Sequence, residues 1–526
     1  MPRILSGIIF ISVFVEFYSI IGKIGIIPHL IVLLLSGAGF YLLRDNVKSL
    51  IKAHKNTVIS WEGFFWLIFV LLIAFYASRG EFHTDTKIYH AATIRMYEEY
   101  GLIKGMGNLQ LHYAYNSSYL AFASLFSMRW LFGDSPLHVT TAFLEICGCI
   151  YSFYGLKRFK EHKHHASDTM RVAILFYVLI IIVLSMSPAT DFATMLIALF
   201  IISMWCDAIN CEDEGKRTIK EALLSVAAVY TLTMKFSSCF MVLLVIAPLL
   251  RLIKKRDISS ILKYLLLGIV VAVPFLLRNY LISGWLLYPF AGIDIFNVEW
   301  KVPLEYLQHD QAQITVYGRC LFDVEKLNLP LREWFPVWLE ARQRYEMMLM
   351  LGTALGTVFL LYYVLCYVIR KKEYALDYIA VFIASVSSLA LWFLAAPFIR
   401  YALAFILAVM MIPLGCYLSD RGRGFIAIVT GFAAFGIFAC LTPYFDNYIK
   451  DAGSFVKQNY DEPYYVSQRK YEDSKTGQVE INGNTIYYCD EGENNSYYYC
   501  PNTCYYTMLE RTELIGDSLK DGFKAK

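Results

Sequence analysis

The chain has 526 residues, of which 57% are hydrophobic and only 17% charged, with a mean hydropathy of +0.48 and a formal net charge of +3. A soluble protein would carry nearer ~25% charged residues, so this composition excludes an ordinary soluble enzyme. The small charge, with no basic block, gives no footing for nucleic acid.

From Ile4 the chain is apolar and lacks a small-residue cleavage site, which reads as a retained membrane helix. A span takes ~20 apolar residues. Stretches of that kind fall at 4–21, 24–43, 61–78, 137–156, 170–187, 190–206, 221–236, 238–254, 261–280, 346–369, 376–395, 399–418 and 424–442. The expected fold is therefore all-α and polytopic, with about 13 transmembrane helices. Lys and Arg collect in alternate short loops: 44–60, 157–165, 207–220, 251–260, 370–375 and 419–423. Cytoplasmic loops are the basic ones, so the N-terminus is expected in the cytoplasm and the chain after Leu441 outside. Residues 117–132 are apolar enough to cross, but a crossing would move the basic loop 157–165 outside. They are expected to lie at the outer surface or re-enter from it. The apolar stretch 222–250 is broken by Lys235-Phe-Ser-Ser238, which predicts two helices with a turn at the lysine.

This divides the chain into a transmembrane domain, 1–441, with outer loops at 79–136 and 281–345, and an extracytoplasmic C-terminal domain, 442–526. The tail is polar and rich in tyrosine. Val479–Tyr488 (VEINGNTIYY) predicts a β-hairpin turning at Asn482-Gly483, so the tail is expected to be a small α+β appendage. Cys489, Cys500 and Cys504 would face an oxidising compartment, where one disulfide is expected and one cysteine is left over. The pairing stays open. Three sulfurs and no tail histidine suit zinc less well.

The densest polar segment is His83-Thr-Asp-Thr-Lys-Ile-Tyr-His90, directly after the apolar run Phe64–Ala77. Ionisable groups at a membrane boundary commonly mark a pathway or reaction site. The plain alternative is that Asp85 only caps the following helix. On the predicted topology, further polar groups fall on the same outer side: Asp191 in Ser187-Pro-Ala-Thr-Asp191, Lys235, Arg278-Asn279, and Arg400 in Ala395-Ala-Pro-Phe-Ile-Arg400. Singly, each is ordinary: arginines at helix ends snorkel and Pro-Asp turns are common punctuation. Their shared side is the signal. Lys235, Arg278 and Arg400 suit phosphate oxygens, while Asp85, His83, His90 and Asp191 can accept or relay protons. Asn116 in the first outer loop adds an amide of the kind that contacts polar ligands such as sugars, although for any one such residue ordinary loop structure is the commoner role.

The loop HTDTKIYHAATIRMYEEYGLIKGMGNLQLHYAYNSSYLAFASLF and the later SPATDF, TMKFSS, RNYLISGWLLYP and PFIRY motifs resemble a family of bacterial multi-pass membrane proteins of unassigned activity. That family is itself similar to GT-C glycosyltransferases, and the resemblance covers most of the chain. It implies transfer of a sugar from a polyprenyl-phosphate donor to a glycan or lipid acceptor at the outer face of the bacterial plasma membrane, among membrane lipids as partners. Asp85 matches the acidic residue that opens the first outer loop of such enzymes, where it acts as general base or positions a metal or acceptor. A divalent metal is left open by the resemblance, and no other cofactor is implied. Two extra spans precede Asp85 here, a departure from the usual pattern, and no partner carboxylate can be chosen among Glu81, Glu98 and Glu99. On these grounds Asp85 and His90 are the catalytic candidates, and His83, Asn116, Asp191, Lys235, Arg278 and Arg400 the substrate-binding ones. Two alternatives stand beside this reading. An O-antigen or capsule polymerase or ligase would lean on histidine as base. A transporter or flippase for a lipid-linked substrate would be expected to show an internal repeat, which the sequence lacks.

Overall fold

A computed structural model describes residues 1–49, 52, 61–133, 137–161, 165–421, 468–489, 497–504 and 506–526. The predicted span 424–442 lies outside the described residues. Helices occupy each of the other twelve predicted stretches: α1 Pro2–Ile21, α2 Ile26–Leu42, α3 Trp61–Arg79 and, after a connecting segment with α4 Ala91–Glu99 and α5 Ser118–Phe126, α6 Thr140–Lys160. They continue as α7 Ala166–Ile181, α8 Thr190–Ile209, α9 Glu214–Met234, α10 Ile246–Lys254 and α11 Ile258–Ser283. A second long connecting segment carries α12 Leu304–Gly318 and α13 Leu331–Glu340, followed by α14 Arg344–Ile369, α15 Ala375–Ala395 and α16 Leu403–Arg421. Among the described residues, seven helical segments are long and apolar enough to cross a membrane. Leucines of α2, α11 and α14 such as Leu34, Leu266 and Leu351 are exposed, which is how a lipid-facing surface looks rather than a water-facing one.

A helix that is apolar all round must be buried, and α8 is such a helix. All of its residues except Asp207 are buried, enclosed by α6, α7, α9 and α16. The break predicted at Lys235 is present: α9 stops at Met234, Lys235 is extended at φ −158°, ψ 134°, and a 3₁₀ stretch, Phe236–Val245, leads into α10. Segment 117–132 forms α5 of nine residues and a single turn at Arg129–Phe132. Nine helical residues reach about 13 Å, far short of the ~30 Å hydrocarbon layer. Residues Ser118–Leu125 are all buried, packed on α1 and α4. This segment enters the bundle and does not lie on its surface.

The predicted hairpin forms. Strand β1 (Thr476–Ile481) pairs antiparallel with β2 (Asn484–Cys489), and Ile481 faces Asn484 across the turn. Asn482 and Gly483 both take positive φ, 49° and 74°, as a two-residue type I′ turn requires. β3 (Asn502–Thr503) runs parallel to β2, and β4 (Thr512–Leu514) pairs with β5 (Phe523–Ala525). Cys500 and Cys504 are free in this structure. Cys504 Sγ is turned onto the turn after Asp85, donating to the Ile88 carbonyl at 3.2 Å, and Cys489 is buried on β2.

The strand-bearing tail packs against the segment between α3 and α6. Ile486, Leu509, Leu514 and Phe523 share one apolar core with Tyr97, Met106, Leu109 and Tyr113 of that segment. Backbone and side-chain bonds sew the two together: Phe523 N to Lys104 O at 2.9 Å, Thr512 Oγ1 to Asn108 O at 2.7 Å, Cys504 N to Gln110 Oε1 at 3.0 Å and Arg469 N to Ser78 O at 2.9 Å. Glycine permits the approach. A Cβ on Gly522, whose φ is +101°, would stand 2.4 Å from the Lys104 carbonyl. Phe523 is fully buried in this joint core, so Phe523→Ala is expected to cost about 3–5 kcal/mol, the usual range for emptying a buried aromatic site. Thermal unfolding in detergent checks this; an unchanged midpoint would show that the tail is not part of the loop's core.

Candidate functional site

Four segments far apart in sequence meet at one cluster. The first is the turn between α3 and α4. It begins at Asp85, whose backbone N–H donates to His83 Nδ1 at 3.1 Å, and continues as a π-helical turn over Thr86–His90. The second is the N-terminus of α8, where Asp191 lies in the first turn and the helix dipole favours its negative charge. The third is the helix break at Lys235. The fourth is the short 3₁₀ turn Ile399–Tyr401 between α15 and α16. Two indoles hold that last turn in place: Trp338 Nε1 of α13 donates to Pro397 O at 3.1 Å and Trp392 Nε1 of α15 to Phe398 O at 2.7 Å.

Asp191 is the centre. Its Oδ2 accepts from Arg400 Nε at 2.9 Å, and its Oδ1 accepts from Lys235 Nζ. Arg400 also reaches Asp85, Nη2 to Oδ2, at the longer distance of 3.4 Å. Aromatic faces back the cations: Lys235 Nζ lies 4.0 Å from the Tyr401 ring centroid, and the Arg400 guanidinium lies 4.6 Å from Phe398 and 4.9 Å from Tyr401. Exposure is graded along the chain of charges. Asp191 is 1% exposed, whereas the Asp85 side chain is 23% exposed. Asp191 is therefore the fixed counter-ion and Asp85 the carboxylate at the open end.

Burial pushes the Asp85 carboxyl up, but Arg400, His83, His90 and Lys235 around it prevail and hold it down at about 2. Burial also lowers both histidines, His83 to about 4 and His90 to about 3, against the opposing pull of Asp85. At neutral pH the site thus holds an ionised Asp85 beside two neutral imidazoles. His90 is reached through hydroxyls: its Nδ1 is 3.2 Å from Thr86 Oγ1, which is 2.5 Å from Ser187 Oγ. His90 Nε2 is buried with no hydrogen-bond partner. Thr86, Ser187 and Tyr401 were not singled out from sequence, although Ser187 opens the Ser-Pro-Ala-Thr-Asp motif and Tyr401 follows Arg400 directly.

Arg278 and Asn116 do not join this group. Arg278 is on the buried stripe of α11 with Val271, Pro274, Phe275 and Ile282. That face turns it inward, where Nε donates to Asn116 Oδ1 at 3.1 Å, Nη1 donates to Ser19 Oγ, and the guanidinium lies 4.6 Å from the Tyr97 ring centroid. With no exposed surface, Arg278 is closed off from a lipid phosphate in this conformation. A cavity of about 240 Å³ is lined by Glu81, Phe82 and Lys87 of the turn between α3 and α4 and by Arg469, Lys470 and Glu472 of the tail; none of the clustered charges lines it. The donor set does not fit a divalent metal. Asp85 and Asp191 are each held by a cation, and among the described residues no group of three His, Cys, Asp or Glu is arranged around a common point.

A family described as a domain of unknown function (DUF8201) matches residues 1–407, and the chain belongs to it. No curated protein and no solved structure matches the chain.

Two outcomes follow from this geometry. Asp191→Asn removes the shared counter-ion of two cations, and breaking a buried pair typically costs about 3–5 kcal/mol; a melting midpoint equal to that of the wild type would remove Asp191 from the centre of the cluster. The histidines set the acid limb of stability. Unfolded histidine titrates near ~6.5, so between pH 6.5 and 4 the unfolded chain takes up protons that folded His83 and His90 refuse. Stability is then fully present above about pH 6.5 and falls as pH drops through that window. His90→Gln should flatten part of the decline, and equal slopes in variant and wild type would count against a buried neutral His90.

Proposed function

We propose that this member of the DUF8201 family is a membrane glycosyltransferase that moves a sugar from a polyprenyl-phosphate donor to a glycan or lipid acceptor. The reading includes about thirteen spans, a cytoplasmic N-terminus and a site on the outer face of a bacterial plasma membrane, in the manner of GT-C enzymes. The observation that carries it is the meeting of Asp85, Asp191, Lys235 and Arg400 from four separate segments at the end of apolar helices.

In this mechanism the acceptor hydroxyl is oriented by Asp85, the more exposed carboxylate. Its oxygen forms a bond to the anomeric carbon while the bond from that carbon to the phosphate oxygen breaks. The electron pair leaves on the polyprenyl phosphate, and the hydroxyl proton passes to Asp85. Arg400 and Lys235 face the leaving phosphate, a role that Arg278 is too enclosed to fill. Preorganised donors of this kind are worth a few kcal/mol each where charge develops. The 3.4 Å contact between Arg400 and Asp85 is long enough for a phosphate oxygen to take Arg400 Nη2 as its partner, which releases Asp85 to the acceptor. A carboxyl held near 2 is a weak base, so Asp85 contributes chiefly by orienting the hydroxyl and accepting its proton late.

The bare Nε2 of His90 favours a second reading, a polysaccharide polymerase or ligase with imidazole as base. One comparison separates the two. Purified protein in liposomes is incubated with a panel of polyprenyl-phosphate sugars, and products are read by mass spectrometry. Asp85→Asn is expected to lower transfer by about 10²-fold or more with the melting midpoint retained, while His90→Ala leaves more activity than Asp85→Asn does. Wild-type transfer by Asp85→Asn would remove Asp85 from the chemistry. Loss confined to His90→Ala would move the assignment to the second reading.

A further inference from the structure

A second cavity lies apart from the Asp85 cluster, at the far end of α4. It measures about 410 Å³ and is lined by Lys23, Glu98, Glu99, Tyr100, Arg129 and Trp130. About nine residues of helix separate it from His90, roughly 13 Å at 1.5 Å per residue. None of the reaction groups lines it.

Its charges are not evenly matched. Glu99 is held between Arg95 Nε at 2.8 Å and Arg129 Nη1 at 2.9 Å. Glu98 is different. Its Oε1 accepts from Ser127 Oγ and from the Arg129 backbone N–H at 3.2 Å, while Oε2 has no partner. Glu98 is 7% exposed. A buried carboxylate oxygen without a donor is costly. Burial accordingly pushes the Glu98 carboxyl up to about 7, against hydrogen bonds from Ser127 and Arg129. Lys23, which also lines the cavity, is exposed on the turn between α1 and α2. The cavity thus combines an unpartnered, buried carboxyl oxygen with an exposed cation.

Its flanks are apolar and uncovered. Ile26, Ile27 and Leu30 at the start of α2 are exposed on one side, and Trp130, Leu131 and Phe132 on the other. Aromatic and aliphatic side chains around a polar pocket are what an interfacial site presents to lipid. Trp130 is steadied by His29, ring centroids 5.4 Å apart, with Nε1 3.1 Å from His29 Nδ1.

We infer that this cavity binds the headgroup of an amine-bearing phospholipid. The ammonium enters and donates to Glu98 Oε2, the phosphate faces Lys23 and Arg129, and the acyl chains run along the exposed faces of α2 and the Arg129–Phe132 turn. The inference rests on the chain lying in a membrane and is independent of the reaction at Asp85. A saccharide would also meet carboxylate and indole, but it would leave the apolar flanks bare and Lys23 without an anion.

The test compares three lipids of identical acyl chains: phosphatidylethanolamine, phosphatidylcholine and phosphatidylglycerol. Each is added to the purified full-length protein in detergent, and bound lipid is counted by native mass spectrometry. The choline headgroup has no N–H to donate, and the glycerol headgroup has no cation. Phosphatidylethanolamine is expected to bind about tenfold more tightly than either, the worth of one charge-assisted hydrogen bond, and Glu98→Gln is expected to erase the preference. Equal binding of the three by the wild type overturns the proposal without need of any variant. So does a preference that survives Glu98→Gln, or displacement of the lipid by a soluble oligosaccharide. Because transfer at Asp85 is not measured, failure here leaves the proposed reaction untouched.

Discussion

The carboxylate of Asp191 is the contact on which the rest of the site depends. It lies at the start of α8, the most enclosed helix of the bundle, and both of its oxygens are engaged, one by Arg400 and one by Lys235. Ions removed from water are tolerable only when partners and geometry are complete. Asp191 satisfies that condition for two cations that would otherwise repel each other. It thereby fixes the helix break at Lys235 and the turn at Arg400 with respect to α8, leaving Asp85 on the exposed side of the cluster.

Opposite demands are met at the other ends of the same helices. Arg251 of α10 pairs with Glu221 of α9 and Asp377 of α15, and Arg217 Nε lies 3.5 Å from Asp377. Arg171 of α7 joins Asp168 to Asp207 of α8. These groups adjoin the basic loops and hold the bundle at that end. Glu221, Asp168 and Asp377 are buried there, while Asp207 and Glu373, the latter 3.9 Å from Arg217, lie at the exposed margin. The two ends share one device, an arginine between carboxylates.

The segment between α3 and α6 is built jointly with the tail. Strands β2, β4 and β5 contribute core side chains to a body shared with Ala91–Leu125. The turn bearing Asp85 is therefore restrained by α3, which precedes it, and by the tail, through Phe82 stacked on Tyr471 at 4.0 Å and Cys504 on Ile88. A site on a loop gains precision when its supports are rigid, and the contacts of Tyr471 and Cys504 supply such a support.

Local chemistry made much of this legible. Apolar runs gave the helices because a bilayer-length stretch has few other uses. Lys235 marked a break because a charge within an apolar run is expensive, and Asn482-Gly483 marked the hairpin because only such residues accept its positive φ. Asp85, Asp191, Lys235 and Arg400 could be picked out individually as polar groups at helix ends. What sequence could not determine was which of them touch. Arg278 and Arg400 look alike in sequence, each an arginine at the end of an apolar run, yet the rotation of α11 buries one against Ser19 while the 3₁₀ turn before α16 delivers the other to Asp191. Rotation about a helix axis, the union of the tail with a loop some 400 residues earlier, and the direction of the Cys504 thiol are properties of packing between distant segments, and only the tertiary structure decides them.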